Sequence, residues 1–361
     1  MPTSDTIFIL VINPGSTSTK LALYHGDECL KSHTIRHPAE ELRRFSSVAG
    51  QKDFRRELTE KFISDVLPED AEFSAVIGRG GLLAPLESGI YAVNAPMLED
   101  LESARWGEHA SNLGAILAEE IARPRGIPAF IADPVVVDEM IDEARFSGCP
   151  EIQRVSIFHA LNQKSAARKA ASQLGRSYEE LNLIVAHLGG GISVGAHRHG
   201  RVIDVNNALD GDGPFSPERS GGLPAGQLIS LALKYRDREK ELRKKIVGQG
   251  GMVAYLETND LQAALERINA GDAKAEAVVR AMAYQVAKEI ASHGATLKGA
   301  IDGIVLTGGM ACSSYLTDLI RERVSYLAPV LVVEGEREME ALAENALRAL
   351  NRPQTIKEYR R

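Results

Sequence analysis

The sequence predicts an α/β protein of two domains that repeat one plan. Three observations carry that prediction. Strand-like apolar runs alternate with amphipathic helical stretches along the 361 residues, which implies helices layered on sheets. A chain of this length is ample for more than one core, so two domains are favoured. A strand, Gly turn, strand theme at the start recurs 174 residues later: Asn13 falls on His187, Gly15 on Gly189 and Gly26 on Gly200, with no gap.

The elements follow in order. Residues 7–12, 18–24 and 29–35 read as strands, from short alternating apolar runs flanked by Gly or Asp. Residues 40–67 read as one helix, with apolar positions at three- and four-residue intervals. Residues 73–81 are a buried strand running into a Gly loop, 98–122 a helix, and 127–134 a strand and turn. In the second half, 155–174 read as a helix and 181–207 repeat the opening hairpin. Residues 302–320 read as strand, Gly turn and helix, and 337–350 as the last strong helix. This division gives a first domain at 1–153 and a second at 154–337. A helix at about 338–361 crosses back to the first.

Charged residues make up 25% of the chain and the net charge is -7, which argues against a nucleic-acid partner, since such proteins need a basic face. Cys29, Cys149 and Cys312 stand apart with no CxxC spacing, so neither a disulfide framework nor a zinc site is expected. Free thiols suit a reducing compartment. The first apolar run is broken by Asn13 and Pro14 and has no basic flank, too short for a signal core or a membrane span. A soluble cytoplasmic protein without a membrane partner is expected.

NPGSTSTK (13–20) has the chemistry of a phosphate loop but not the common pattern. Gly15 lies five residues before Lys20, no Gly precedes that Lys, and Leu21 follows it. The loop also lies between two strands rather than before a helix. Gly15 allows close backbone approach, Ser16 and Ser18 offer donors, and Lys20 supplies a charge.

NPGSTSTK at 13–20, SIFHALNQ at 156–163, AHLGGGIS at 186–193 and LTGGM at 306–310 together resemble the acetate/butyrate kinase family of the actin-like superfamily. The motifs stand in the same order over nearly the whole chain. The form of the first two, and the length, are most similar to the butyrate kinase branch. The resemblance implies duplicated actin-like (ribonuclease H-like) domains with a cleft between them. It implies ATP and Mg²⁺ as cofactors, a small carboxylic acid as substrate, and a homodimer or larger assembly. The implied reaction is butanoate + ATP giving butanoyl phosphate + ADP, by direct in-line attack of the carboxylate on the γ-phosphate. Isobutyrate, propionate or acetate kinases share that mechanism. An actin-like ATPase, or a sugar kinase using Asp133 as base, is the alternative of another class.

A carboxylate is already ionised at neutral pH, with a pKa near ~4, so this reaction needs no general base. It needs cations that bring an anion to an anionic phosphate. The resemblance assigns the roles. Residues matching Asn13, Ser16, Ser18 and Lys20 lie at the phosphate and metal side. Arg79, in VIGRGGLL, and Arg219, in DGDGPFSPERSGGLP, match two active-site arginines suited to bidentate contact. His159 matches the residue that stabilises the transferring phosphoryl. His187 stands beside a second phosphate loop of Gly189, Gly190 and Gly191. Asp133 matches an aspartate that serves magnesium or positioning, although as the residue before Pro134 it also suits a helix N-cap. Glu338 or Glu340 is the second metal-side carboxylate, with Glu338 preferred. Gly308 and Gly309 match an adenosine-binding turn.

Overall fold

The computed structural model describes residues 7–352 and 356–361. The first six residues, which precede the apolar run weighed as a targeting segment, lie outside the described residues. So do 353–355, within the helix expected at 338–361. Two compact units are present, one of residues 1–137 with 338–361 and one of residues 138–337.

The first unit opens with β1 (Phe8–Pro14), β2 (Ser18–His25) and β3 (Glu28–Arg36), an antiparallel meander. A short α1 (Ala39–Leu42) and then α2 (Lys52–Val66) replace the single helix expected at 40–67. β4 (Phe73–Arg79), β5 (Ile90–Ala92), α3 (Ala95–Glu102), α4 (Asn112–Ala122) and β6 (Ala129–Ala132) follow. The helix expected at 98–122 is thus split. Gly107 lies in the break with φ at +120°, a conformation no helix accepts. Helix α4 lies directly on β4, since a Cβ on Gly78 would stand 2.0 Å from the Gly114 carbonyl oxygen. That backbone-to-backbone contact fixes the strand that carries Arg79.

The second unit begins with α5 (Asp142–Arg145), β7 (Phe146–Cys149), β8 (Ile152–Gln153) and α6 (Ala160–Gln173). It continues with β9 (Asn182–Leu188), β10 (Ile192–Arg198) and β11 (Arg201–Val205). The helices α7 (Ala225–Lys234), α8 (Glu239–Ile246), α9 (Gly251–Leu256), α10 (Leu261–Asn269) and α11 (Ala273–Thr296) come next. β12 (Gly303–Gly308), α12 (Ser314–Val324) and β13 (Val330–Glu334) close it. The chain then returns to the first unit as α13 (Glu338–Asn351) and β14 (Ile356–Glu358).

The strand orders are β14-β5-β6-β4-β1-β2-β3 and β11-β10-β9-β12-β13. Removing β14 and β5 leaves the same five-strand plan twice: three antiparallel strands, then two parallel ones. The helix after each plan's last strand is exchanged. α6 packs on β9 and β12, and α13 packs on β1 and β4. Buried Val, Ile, Leu and Ala from β9, β10 and β12 form one core with α11 and α12.

The repeat exists, but not in the gapless register expected. Asn13 pairs with Lys20, whereas His187 pairs with Ser193, so the second loop is one residue shorter. The structural counterpart of Lys20 is therefore Ser193. At the next turn the counterpart of Gly26 is His199, both with positive φ, and the match of Gly26 to Gly200 is displaced by one place.

The passage between units also differs from the expected 153/154. Residues just after 137 are already hydrogen-bonded to β11: the Ile141 N–H donates to the Ile203 carbonyl at 3.0 Å, and the Glu139 carboxylate accepts from the Val202 N–H at 2.9 Å. The last helix ends at Asn351. The tail adds β14 beside β5 instead, Ile356 opposite Ile90. No described helix is long and apolar enough to cross a membrane.

Candidate active site

Two sets of side chains are built on equivalent places in the two units. In the first, Asn13 is the last residue but one of β1, Arg79 ends β4, and Asp133 follows β6. All three stand at the carboxyl ends of adjacent parallel strands, where open α/β sheets bind ligands. Helix α13 adds Glu338 from its first turn. Arg79 Nη1 donates to Glu338 Oε2 at 3.0 Å and Arg79 Nη2 meets Oε1 at 3.0 Å, a bidentate pair. Asn13 Nδ2 donates to the same Oε2 at 2.8 Å. Glu338 rather than the exposed Glu340 therefore stands at Asn13 and Arg79.

Asp133 is buried, with φ at 40°. Its Oδ1 accepts from the Ser88 hydroxyl at 2.6 Å and the Gly89 N–H at 2.9 Å. No helix follows it, so the N-cap reading is not met. A non-Gly residue held in that region is strained, a feature that concentrates at functional sites. Lys20 lies opposite Asn13 across β1 and β2, and Ser16 and Ser18 stand on the intervening turn. The Ser18 carbonyl closes that turn by accepting from the Gly15 N–H at 2.8 Å.

In the second unit His159 is the N-cap of α6. The helix begins at Ala160, not at 155, because the stretch before it is extended and tied down by the Ala208 N–H on the Ile157 carbonyl. The His159 ring stacks on His187, centroids 3.8 Å apart and planes 11° apart. His159 Nδ1 faces the Ser193 hydroxyl at 2.8 Å, and His187 Nδ1 faces Asn162 Oδ1 at 2.7 Å. Gln163 Nε2 donates to that same Ser193 hydroxyl at 2.8 Å. Gln163 Oε1 faces Nε2 of His197, which burial pushes well below the ordinary imidazole value. The neutral His197 then donates from Nε2, and Tyr178 donates to its Nδ1.

The glycine triplet makes room for this machinery. A Cβ on Gly191 would lie 1.7 Å from Arg219 Nη1, so the guanidinium passes across the second loop where a side chain would stand. Arg219 Nη1 donates to the Ala208 carbonyl, and burial pushes its pKa below the ordinary value, with Glu218 opposing. A Gly-rich stretch at 248–252 backs this loop: Gly251 abuts the Ser216 and Arg219 carbonyls, and the Gly248 N–H donates to the Glu218 carbonyl at 2.7 Å. Gly191→Ala is expected to expel Arg219 and to lower kcat/KM by about 10²-fold, the scale of losing one preorganised donor. Steady-state kinetics check this, and an unchanged kcat/KM would contradict it.

A cavity of about 540 Å³ opens beside the triplet, lined by Gly189, Gly190, Asn259, Gly309, Ser313 and Glu336 among others. Gly309 borders it. Gly308 does not: its φ of +92° and its approach to the Leu188 backbone serve sheet packing.

Among the described residues no three His, Cys, Asp or Glu side chains converge as a metal cluster. Asn13 and Glu338 still fit magnesium, which takes one or two protein oxygens and keeps its waters and phosphate oxygens.

Asn162, Gln163 and Ser193, which hold the histidine pair, are not singled out in the sequence analysis, although a signal for the first two is there. Asn162 and Gln163 lie three and four places after His159, one helical turn on, so both can serve the histidine pair.

A family model described as the acetokinase family matches residues 151–353. Similar solved structures include an acetate kinase from Porphyromonas gingivalis, at 18% identity and TM-score 0.75, covering 94% of this chain and 99% of that one. A propionate kinase from Francisella tularensis subsp. tularensis SCHU S4 matches at 19% identity and TM-score 0.72, with the same coverage. An acetate kinase from Entamoeba histolytica matches at 16% identity and TM-score 0.73, covering 93% of this chain and 98% of that one. These likenesses establish the two-domain actin-like fold.

Proposed function

We propose, from the premise that this chain belongs to the acetokinase family and is an ATP-dependent carboxylate kinase, that its acid is butanoate. The observation that supports carboxylate binding is the Arg79 fork, which grips a carboxylate through both oxygens. In the ligand-free protein that carboxylate is Glu338; in turnover it is the acid. The choice of butanoate rests on the form of NPGSTSTK and SIFHALNQ and on the length of the chain.

The steps need no proton transfer. An oxygen of the acid forms a bond to the γ-phosphorus as the bond to the β–γ bridging oxygen breaks, and ADP leaves with that electron pair. Arg79 orients the acid. His159 and Arg219 donate to the equatorial oxygens as charge spreads over them. Ser16, Ser18 and Lys20 hold phosphate oxygens, and Gly189, Gly190 and Gly191 let backbone close on the nucleotide. His187 positions His159 by stacking. Asp133 fixes the Ser88–Gly89 turn beside Arg79. Asn13 and Glu338 would hold Mg²⁺, which neutralises phosphate charge when bound. The free cysteines support a reducing, cytoplasmic setting. The family resemblance supports a homodimer or larger assembly.

Acid selectivity tests the assignment. kcat/KM is expected to peak at butanoate and to fall for acetate by tenfold or more, since each methylene is worth about 1–3 kcal/mol. Acetate and propionate are the acids named for the similar structures, so a peak at either would replace butanoate.

A further inference from the structure

Arg55, on α2, is 1% exposed, and among the described residues no carboxylate pairs with it. Its acceptors are all neutral. Nη1 donates to the Gly15 carbonyl at 2.9 Å, the Ser18 carbonyl at 3.0 Å and the Thr19 hydroxyl at 3.1 Å. Nε and Nη2 donate to Gln51 Oε1 at 3.1 and 2.8 Å. Buried charges are ordinarily paired, so a lone buried guanidinium calls for a reason.

The reason lies in what it touches. Arg55 sits directly behind the NPGSTSTK turn and draws two of its carbonyls inward. The Thr17 carbonyl is also taken, by the His37 N–H at 2.8 Å. Among the described residues no hydrogen bond takes the Ser16 or Thr17 N–H, which leaves both donors of the turn available. His37 adds no second positive charge there: burial and then Arg55 pull its pKa down to about 4, so it is neutral, and its Nε2 faces the Thr19 hydroxyl.

We propose that Arg55 is the positioning cation of the first phosphate loop, and that its missing counter-ion is a phosphate bound on the far side of the Gly15–Ser18 turn. This rests on the reading of NPGSTSTK as a phosphate loop. Arg55 acts through the turn: it holds the carbonyls away from the ligand and adds a charge that low-dielectric surroundings leave unscreened.

Gln51→Glu is the decisive variant. It keeps the acceptor for Nε and Nη2 but supplies a counter-ion inside the protein. A purely structural clamp would be held equally well or better. The proposal expects kcat/KM for ATP to drop by about tenfold or more, the scale of a local field on an anionic ligand, with Tm unchanged or raised. A kcat/KM equal to wild type at unchanged Tm would overturn it. Should Gln51→Glu fold poorly, Arg55→Lys and Arg55→Met take its place: Lys keeps the charge and is expected to retain far more activity, and equal losses would overturn the proposal. The same variants are titrated with inorganic phosphate and ATP, read as a rise in Tm. If wild type makes no acyl phosphate but its Tm still rises with ATP, the kinase assignment fails while Arg55 is still judged by whether Gln51→Glu loses that rise.

Discussion

Arg79→Ala is expected to abolish detectable acyl phosphate formation, a loss of about 10³-fold in kcat/KM, while the protein stays folded. The two halves of that expectation have different causes. The bidentate fork is the feature that suits a carboxylate, and Ala removes its charge and both of its donors. Stability should change little, by about 1 kcal/mol or less, because the Arg79–Glu338 pair is part exposed, at 24% and 13% for the two side chains. Glu338 also keeps its hydrogen bond from Asn13 Nδ2. Arg79→Lys should fall between, since an ammonium keeps a charge but cannot meet two oxygens in one plane. Steady-state kinetics with thermal unfolding in parallel check this. A variant within tenfold of wild type would show that the fork does not hold the acid.

His159→Ala is expected to lower kcat by about 10²–10³-fold with KM for ATP nearly unchanged, the signature of a contact made in the transition state. The ring is already held on both sides, stacked on His187 and facing the Ser193 hydroxyl. That hydroxyl is anchored in turn by Gln163. A group so fixed needs no reorganisation as charge develops. Gln163→Ala leaves the imidazole but loosens its support, so a smaller loss in kcat is expected. A rise in KM at constant kcat for His159→Ala would move the residue from the reacting phosphoryl to ground-state nucleotide binding.

The strands were legible in the sequence because their signals are local. Alternating residues between Gly turns placed β1, β2 and β3 within a residue or two. The helices were less legible where a break depended on one backbone angle, as at Gly107, or on tertiary contacts, as in the extended stretch that ends at His159. The duplicated plan could be read from two hairpins, but not its register, since a loop shorter by one residue leaves Gly15 and Gly189 aligned and shifts everything after. Residues proposed to donate or coordinate are visible as polar side chains in Gly-rich turns. Residues that act by standing behind them are not. Arg55 lies on a helix among ordinary charged residues, and its burial comes from tertiary packing, with α2 lying against α4 and β2.

The most direct test of the account is hydroxylamine trapping with ATP, Mg²⁺ and a panel of acetate, propionate, butyrate, isobutyrate and valerate. The predicted result is a trapped acyl hydroxamate that peaks at butyrate and disappears in Arg79→Ala. ADP released with no trapped product from any acid would contradict the account and leave an ATPase in its place.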